Sequence, residues 1–418
     1  MRKYAYQWSL LYIVVLMSVG AIGGVARLAG IPVFFFWLLG FIRNPKLRRF
    51  HLFHILLTLF VVWNTASYFW SVSPDETTYL VNRYLPMLAT AVILWDLYRT
   101  REEVEGGLQA FLVGCYILIF WTLFNAAIHN SYYNGRFTGG GLHPNTVGFL
   151  IAVGNPLAWY FAWSRRSANK LLGMAFFLFP VIGTLAIILT GSRGGVVASL
   201  PGYIYIFSTM RNLSSPAKLT LLGLGVALMV AITQINLSYQ IGRIAQSASS
   251  GSTDKFSGRT QLWQAAEDIF SKNPLLGVGG GGYRRATIGY DVPDPDSGKA
   301  AGNSADTKRL GAHNTYLEVL SELGIVGFGI IVLILFATFR AVTSVPKPAM
   351  YALLVSFLAF PIDMFYEMIE WRPFTWLILG LLVAAGSAAD KLMTRNVAAQ
   401  NEAPVSSVAL FGMICALK

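Results

Sequence analysis

Four side chains carry the types and settings that anion binding and proton transfer require. They are Arg136 in SYYNGRFTGGGLHPN, Arg193 in LTGSRGGV, Arg259 in FSGRTQLW and His313 in GAHNTYLEVL. A guanidinium stays charged and presents a planar fork of donors that matches a phosphate or carboxylate. Imidazole titrates near neutrality, so a histidine can take a proton at working pH. Arg136 and Arg193 sit among glycines, which let backbone N–H groups come close to a ligand. Asn314 adjoins His313, and Glu318 and Glu322 follow at helical spacing in apolar sequence. A carboxylate or amide there could orient the imidazole. Glu318 and Glu322 could instead pair with arginines and brace the helix.

The elements that must position these residues are membrane spans. Of the 418 residues, 55% are hydrophobic and 12% charged, and mean hydropathy is +0.54. A soluble domain carries about 25% charge. The chain reads as an all-α polytopic membrane protein with twelve candidate spans: 7–25, 30–43, 52–71, 79–97, 107–128, 144–163, 170–190, 194–210, 217–235, 313–339, 348–369 and 372–390. The last two are close enough to form one hairpin. Met1 to Gly24 has the flanks of a signal peptide but no A-x-A-like cleavage site, so it reads as a first helix. The net charge of +12 argues for anionic lipid at the spans' basic flanks, not for nucleic acid. The two cysteines, Cys115 and Cys415, imply neither a disulfide framework nor a metal cluster.

Sidedness follows from the basic residues. Eighteen fall in one set of loops and termini, and five (Arg27, Arg83, Arg136, Arg193 and Arg372) fall in the short loops of the other. The rule that short basic loops stay inside places both termini in the cytoplasm and the long segment 236–312 outside. The chain thus divides into spans 1–235, an outer loop 236–312 with amphipathic helices, spans 313–390 and a tail 391–418. An arginine dipping unpaired into hydrocarbon costs a few kcal/mol, so the outer exceptions are informative. Arg136, Arg193 and Arg259 on one face read as an anion site. Arg27 and Arg83 read as interfacial anchors.

Within the outer loop, Leu262, Ala265, Ala266, Ile269 and Phe270 recur at helical spacing from Arg259. They predict an amphipathic helix on the membrane surface with Trp263 at the interface, stopped at Asn273–Pro274. The run LLGVGGGGYRR is either a hinge or an anion cradle. It matches no phosphate-loop or dinucleotide pattern. Asp294-Pro-Asp296 has the form of a nucleotide-sugar metal motif but lies in loop-like sequence on the outer face, so no metal is expected there. Asp363, Glu367, Glu370 and Arg372, in FPIDMFYEMIEWRP, read as structural salt bridges to the loop arginines.

In order and spacing, GRF…HPN (Arg136, Phe137, Pro144, Asn145), TGSRGG (Arg193), FSGRTQLW (Arg259, Trp263), NPLLGVGGGGY and HNTYLEVLSELGIVG (His313, Asn314, Glu318, Gly324) resemble the O-antigen ligase and polymerase family, most closely the ligases. The resemblance implies a GT-C-like glycosyltransferase architecture of about 12 transmembrane helices, with a large periplasmic loop between helices 9 and 10. It implies transfer of a glycan from undecaprenyl diphosphate to the sugar of lipid A–core in a bacterial inner membrane, at a periplasmic site and without a cofactor. It assigns catalysis to His313, diphosphate binding to Arg136, Arg193 and Arg259, and supporting roles to Asn145, Asn314 and Glu318. Polymerases and protein O-oligosaccharyltransferases share these motifs. A transporter of lipid-linked glycan would share the topology but need no base at His313. A structural assembly partner would tolerate loss of Arg193 and Arg259.

Overall fold

A computed structural model describes residues 1–19, 24–130, 135–165, 170–210, 259–288, 290 and 311–402. The described residues are helical, with no β-strand among them. The helices are α1 (Arg2–Val19), α2 (Val25–Arg43), α3 (Leu52–Ala66), α4 (Pro74–Leu97), α5 (Arg101–Ala127), α6 (Pro144–Arg165), α7 (Lys170–Thr190), α8 (Arg193–Met210), α9 (Arg259–Lys272), α10 (Tyr283–Ala286), α11 (Thr315–Thr343), α12 (Ala349–Asp363) and α13 (Pro373–Glu402). Every expected span except 217–235 overlaps one of these helices. That stretch and Asp291, Asp294 and Asp296 lie outside the described residues. Six of the described helices are long and apolar enough to cross a membrane: α2, α3 with the turn after it, α5, α6, α7 and α11. This is a multi-pass membrane protein.

The helices sort by what surrounds them. α6 is central and almost wholly buried, packed on α7 and α8 and touched by α12. Phe149 of α6 meets Phe360 of α12 edge to face, ring centres 5.0 Å apart. α2 is the opposite case: Val33 is its one buried residue, and Leu28, Ile31, Phe34, Phe35 and Ile42 are exposed. A helix that is apolar all round yet uncovered faces lipid. Helix association in lipid relies on close backbone approach. At the α6–α8 crossing, Gly148 and Gly195 are so close that a Cβ on Gly195 would strike the Gly148 backbone.

The loops expected on one side of the membrane contact one another. Arg2 reaches Glu103 at 2.8 Å, and Arg48 reaches the Trp95 and Tyr98 carbonyls and stacks on Trp95. These residues come from the loops expected inside. The loops expected outside meet one another around the turn between α12 and α13, described next.

Candidate active site

The turn 364–372 joins α12 to α13 and is stitched to the start of α11. Thr315 N–H donates to the Met364 carbonyl at 2.8 Å. Thr315 Oγ1 lies 2.8 Å from the Glu367 carbonyl and 2.9 Å from Glu370 Oε2, and accepts the Ile369 N–H at 3.1 Å. Asn314 caps α11: its Oδ1 accepts the Tyr316 and Leu317 N–H groups at 3.0 and 3.2 Å. An asparagine side chain at this position satisfies donors that the first helical turn leaves open. The Asn314 amide oxygen is thus occupied by the first turn of α11.

His313, just before this cap, adopts a left-handed backbone with φ 48°. Its Nδ1 lies 3.7 Å from Glu367 Oε1, with side-chain exposures of 15% and 9%. That is longer than a hydrogen bond and close enough for an ion pair once the ring takes a proton. Catalytic hydrogen bonds commonly tighten only when substrate binds. The carboxylate beside the imidazole is therefore Glu367. Glu318 is occupied otherwise, its Oε2 accepting the Ala312 N–H at 2.6 Å. It braces the chain leading into His313.

Glu367 also gathers the arginines. Arg259, the first residue of α9, donates from Nη1 to the Tyr366 carbonyl at 2.6 Å, and its Nη2 lies 3.6 Å from Glu367 Oε1. Asn145 Nδ2 donates to the same carboxylate oxygen, and Asn145 Oδ1 accepts from Arg136 Nη2. Arg136 is buried, with Nε donating to the Thr190 carbonyl at 2.7 Å. The adjoining Phe137 N–H donates to Leu189 at 3.0 Å, so this loop is zipped to the end of α7. Arg193 opens α8, whose first turn is capped by Ser192 Oγ accepting the Gly195 N–H at 3.1 Å. A Cβ on Gly194 would strike Tyr366 and touch Asp363. The glycines after Arg193 thus make room for α6 and for the turn. Both oxygens of Asp363, 1% exposed, lack a hydrogen-bond partner. The structure therefore brings Arg136, Asn145, Arg259 and His313 together through Glu367, and sets Gly194, the residue after Arg193, against Tyr366.

Electrostatics separate the two acidic residues of the turn. Burial opposes ionisation of Glu367, but the neighbouring His313, His143 and Arg259 override it and hold the carboxyl well below its usual range. Burial pushes Glu370 up to about 7, against the hydrogen bonds and the nearby Arg372 that favour its anion. One is a fixed counter-charge, and the other titrates near neutrality.

The glycine run explains a second carboxylate. Val278 and Gly279 N–H donate to the Ser321 and Glu322 carbonyls at 3.0 and 2.8 Å. The α11 backbone leaves the helix at Gly324, φ 65° and ψ −168°, a region essentially reserved for glycine. Glu322 accepts the Gly281 and Tyr283 N–H groups at 2.8 and 3.1 Å. The run does cradle a carboxyl group, that of the protein's own Glu322. α9 also differs from expectation. Leu262, Ala265, Ala266 and Ile269 are buried in protein, Ala266 and Ile269 packing with Val278, Tyr283 and Ala312. Trp263 donates to the Ala312 carbonyl at 3.1 Å and meets Phe365 edge to face. An apolar helix stripe says that something covers it, without saying whether lipid or protein does.

A cavity of about 250 Å³ opens beside the His313 ring, with His143, Glu367, Glu370, Trp371 and Arg372 in its wall. Residues 176–332 match the family model described as O-Antigen ligase. That segment of the chain is similar to the O-antigen ligase domain. It is also similar to the exopolysaccharide production protein ExoQ of Rhizobium meliloti (strain 1021), 23% identical over 297 residues. That alignment covers 68% of this chain and 64% of ExoQ, so the chain spans less than two thirds of its relative. The O-antigen ligase match contains Arg193, Arg259 and His313. It ends before Glu367 and begins after Arg136 and Asn145. The residue that ties the group together thus lies outside the matched segment, as does His143, whose Nδ1 accepts the Asn145 N–H at 3.3 Å.

Proposed function

We propose that this protein transfers a glycan from undecaprenyl diphosphate to an acceptor saccharide, as an O-antigen ligase whose acceptor is lipid A–core. The observation that carries this reading is the shared carboxylate of Glu367. It sets a candidate base, His313 at 3.7 Å, beside a candidate phosphate ligand, Arg259 at 3.6 Å. Arg136, Arg193 and Arg259 hold the diphosphate and neutralise the charge that grows on it as it leaves, an effect worth several kcal/mol per contact in a dry site. His313 takes the proton from the acceptor hydroxyl. That oxygen forms its bond to the anomeric carbon as the carbon–oxygen bond to phosphate breaks, and undecaprenyl diphosphate departs. Attack opposite the leaving group inverts the anomeric centre in one step. Glu367 holds the imidazole and stabilises its protonated form. Asn145 links Arg136 to the same carboxylate, and Asn314 and Glu318 fix the backbone around His313.

In this reading the protein lies in the bacterial inner membrane with both termini cytoplasmic. The segments 1–235 and 313–390 form the membrane body, and 236–312 lies in the periplasm with the site. The arginines replace a divalent metal, and transfer proceeds in excess chelator. Abolition of transfer by chelator, with rescue by a divalent ion, overturns that part.

The deciding experiment is purified protein supplied with undecaprenyl-diphosphate glycan and lipid A–core, read as a shift of the lipopolysaccharide band. His313→Ala should retain donor binding and lose transfer. Export of glycan by protein that forms no bond in vitro would instead establish a transporter. The ExoQ relative, an exopolysaccharide production protein by name, favours a second reading in which the acceptor is a growing polysaccharide. Extension of a lipid-linked glycan, with lipid A–core untouched, would select it.

A further inference from the structure

We infer that the cavity between the end of α2 and the turn from α4 to α5 binds the headgroup of an anionic phospholipid, with Arg43 and Lys46 as its phosphate ligands. This cavity lies among the loops expected inside, shares no residue with the one beside His313, and stands whether or not the protein transfers a glycan.

The cavity holds about 380 Å³. Arg43 and Lys46 line it from the end of α2 and the chain just after it, and Arg2 and Arg99 from α1 and the α4–α5 turn. The carboxylates at hand are already spent. Asp96, 9% exposed, accepts from the Arg99 guanidinium, from the Arg48 N–H at 3.1 Å and from Trp37 Nε1 at 3.2 Å. Glu103 accepts from Arg2 Nη2 at 2.8 Å and from the Arg99 and Thr100 N–H groups at 2.8 and 3.0 Å. Arg2 and Arg99 are thus answered within the protein. Among the described residues no carboxylate forms an ion pair with Arg43 or Lys46, and both are exposed. Asn44, between them, also lines the cavity. Two uncompensated cations and an amide suit a phosphate group.

What continues from the cavity identifies the occupant as a lipid. Phe34, Trp37 and Phe41 recur at i, i+3 and i+7, on one face of α2. The Trp37 and Phe41 rings stack with centres 5.7 Å apart, and Phe34 follows 6.3 Å from Trp37. Trp37 and Phe41 line the cavity, and Phe34 is 51% exposed. This column carries apolar surface from the charged rim onto the uncovered side of α2. A soluble phosphate has nothing to lay there. A phospholipid places an acyl chain along it while the headgroup meets the cations at the interface, the level at which tryptophan and basic residues collect. A zwitterionic headgroup would set its own cation against Arg43 and Lys46, so the site selects net negative charge. Since α2 packs on α1, a lipid seated here ties the α1–α2 hairpin to the α4–α5 turn.

The test is native mass spectrometry of the full chain released from detergent, titrated with phosphatidylglycerol, phosphatidylcholine of the same chains, and glycerol 3-phosphate. Wild type should bind one phosphatidylglycerol at least about tenfold more tightly than phosphatidylcholine, and glycerol 3-phosphate far more weakly than either. The pair Arg43→Gln with Lys46→Gln should weaken phosphatidylglycerol roughly thirtyfold, the worth of two cations near a membrane surface. The pair Lys170→Gln with Arg340→Gln removes two exposed cations that do not line the cavity, and should leave binding within about threefold. Equal loss in the two pairs would reduce the effect to general surface charge and overturn the site. Undiminished binding in the first pair, or equal affinity of wild type for the two lipids, would also overturn it. Glycerol 3-phosphate bound as tightly as phosphatidylglycerol would make the ligand a soluble phosphate and overturn the lipid assignment.

Discussion

Replacing Glu367 by Gln tests the centre of the reasoning. Glutamine keeps an oxygen to accept from Asn145 and removes the negative charge. In the transfer step a proton arrives on His313, so the imidazolium forms 3.7 Å from that charge. Two unit charges at this separation attract by about 4 kcal/mol at an effective dielectric of ~20. The two side chains are only 15% and 9% exposed, so water screens the pair little. At ~1.36 kcal/mol per decade of rate, the charge accounts for about three powers of ten in kcat. The same change removes the ion pair to Arg259, so donor KM should also rise. The assay is turnover of undecaprenyl-diphosphate glycan by purified protein at saturating acceptor, alongside thermal unfolding in the same detergent. A Glu367→Gln protein that melts as wild type does and keeps kcat within about tenfold would show that Glu367 is a scaffold salt bridge. The base would then have to be sought elsewhere.

Three further outcomes follow. Asn314→Ala should lose about 1 kcal/mol of stability, the usual value of a helix cap, seen as a lower Tm with kcat nearly unchanged; a loss of kcat as large as that of Glu367→Gln would make it an orienter after all. Gly324→Ala places a Cβ against the Leu275 backbone at φ 65°. It should cost at least about 1–3 kcal/mol of backbone strain, read as reduced accumulation of folded protein in membranes. Glu370 is pushed up to about 7 from an ordinary value near 4.5, so the folded state binds its proton more tightly than the unfolded chain. Its stabilising contribution is present below about pH 4.5 and is lost as pH rises through 7, about 3 kcal/mol in all. Glu370→Gln should therefore flatten the decline in Tm between pH 5 and 8, and an unchanged slope would refute the assignment.

Hydropathy made the membrane helices legible, because a span must be long and apolar wherever it sits. The sidedness of the basic residues singled out Arg136 and Arg193, since an arginine against that rule needs a reason, and Arg259 joined them only through its place in the outer loop. His313 was legible from its place where polar chain enters an apolar helix. Glu367 was legible as a partner of a loop arginine, which its 3.6 Å approach to Arg259 bears out, but not as the neighbour of His313, because a carboxylate in a tight turn between spans looks the same whether it braces a loop or orients a base. Its partner Asn145 is 222 residues away, and no local pattern encodes that pairing. The glycine run stayed open between a hinge and an anion cradle, and sequence could not say that its backbone N–H groups meet the Glu322 carboxyl. Asn314 was legible only as a supporting residue, because an asparagine next to histidine and an asparagine capping a helix are the same letters.

The position of Glu367 late in the chain has a consequence for synthesis. Spans enter the bilayer from the N-terminus onward, and domains generally form in that order. Glu367, which approaches both His313 and Arg259, emerges only with the final hairpin. On the proposed mechanism, a nascent chain lacking that hairpin holds scattered cations and an unaligned imidazole, and a lipid-linked donor meets a working centre only after the last helix pair has inserted.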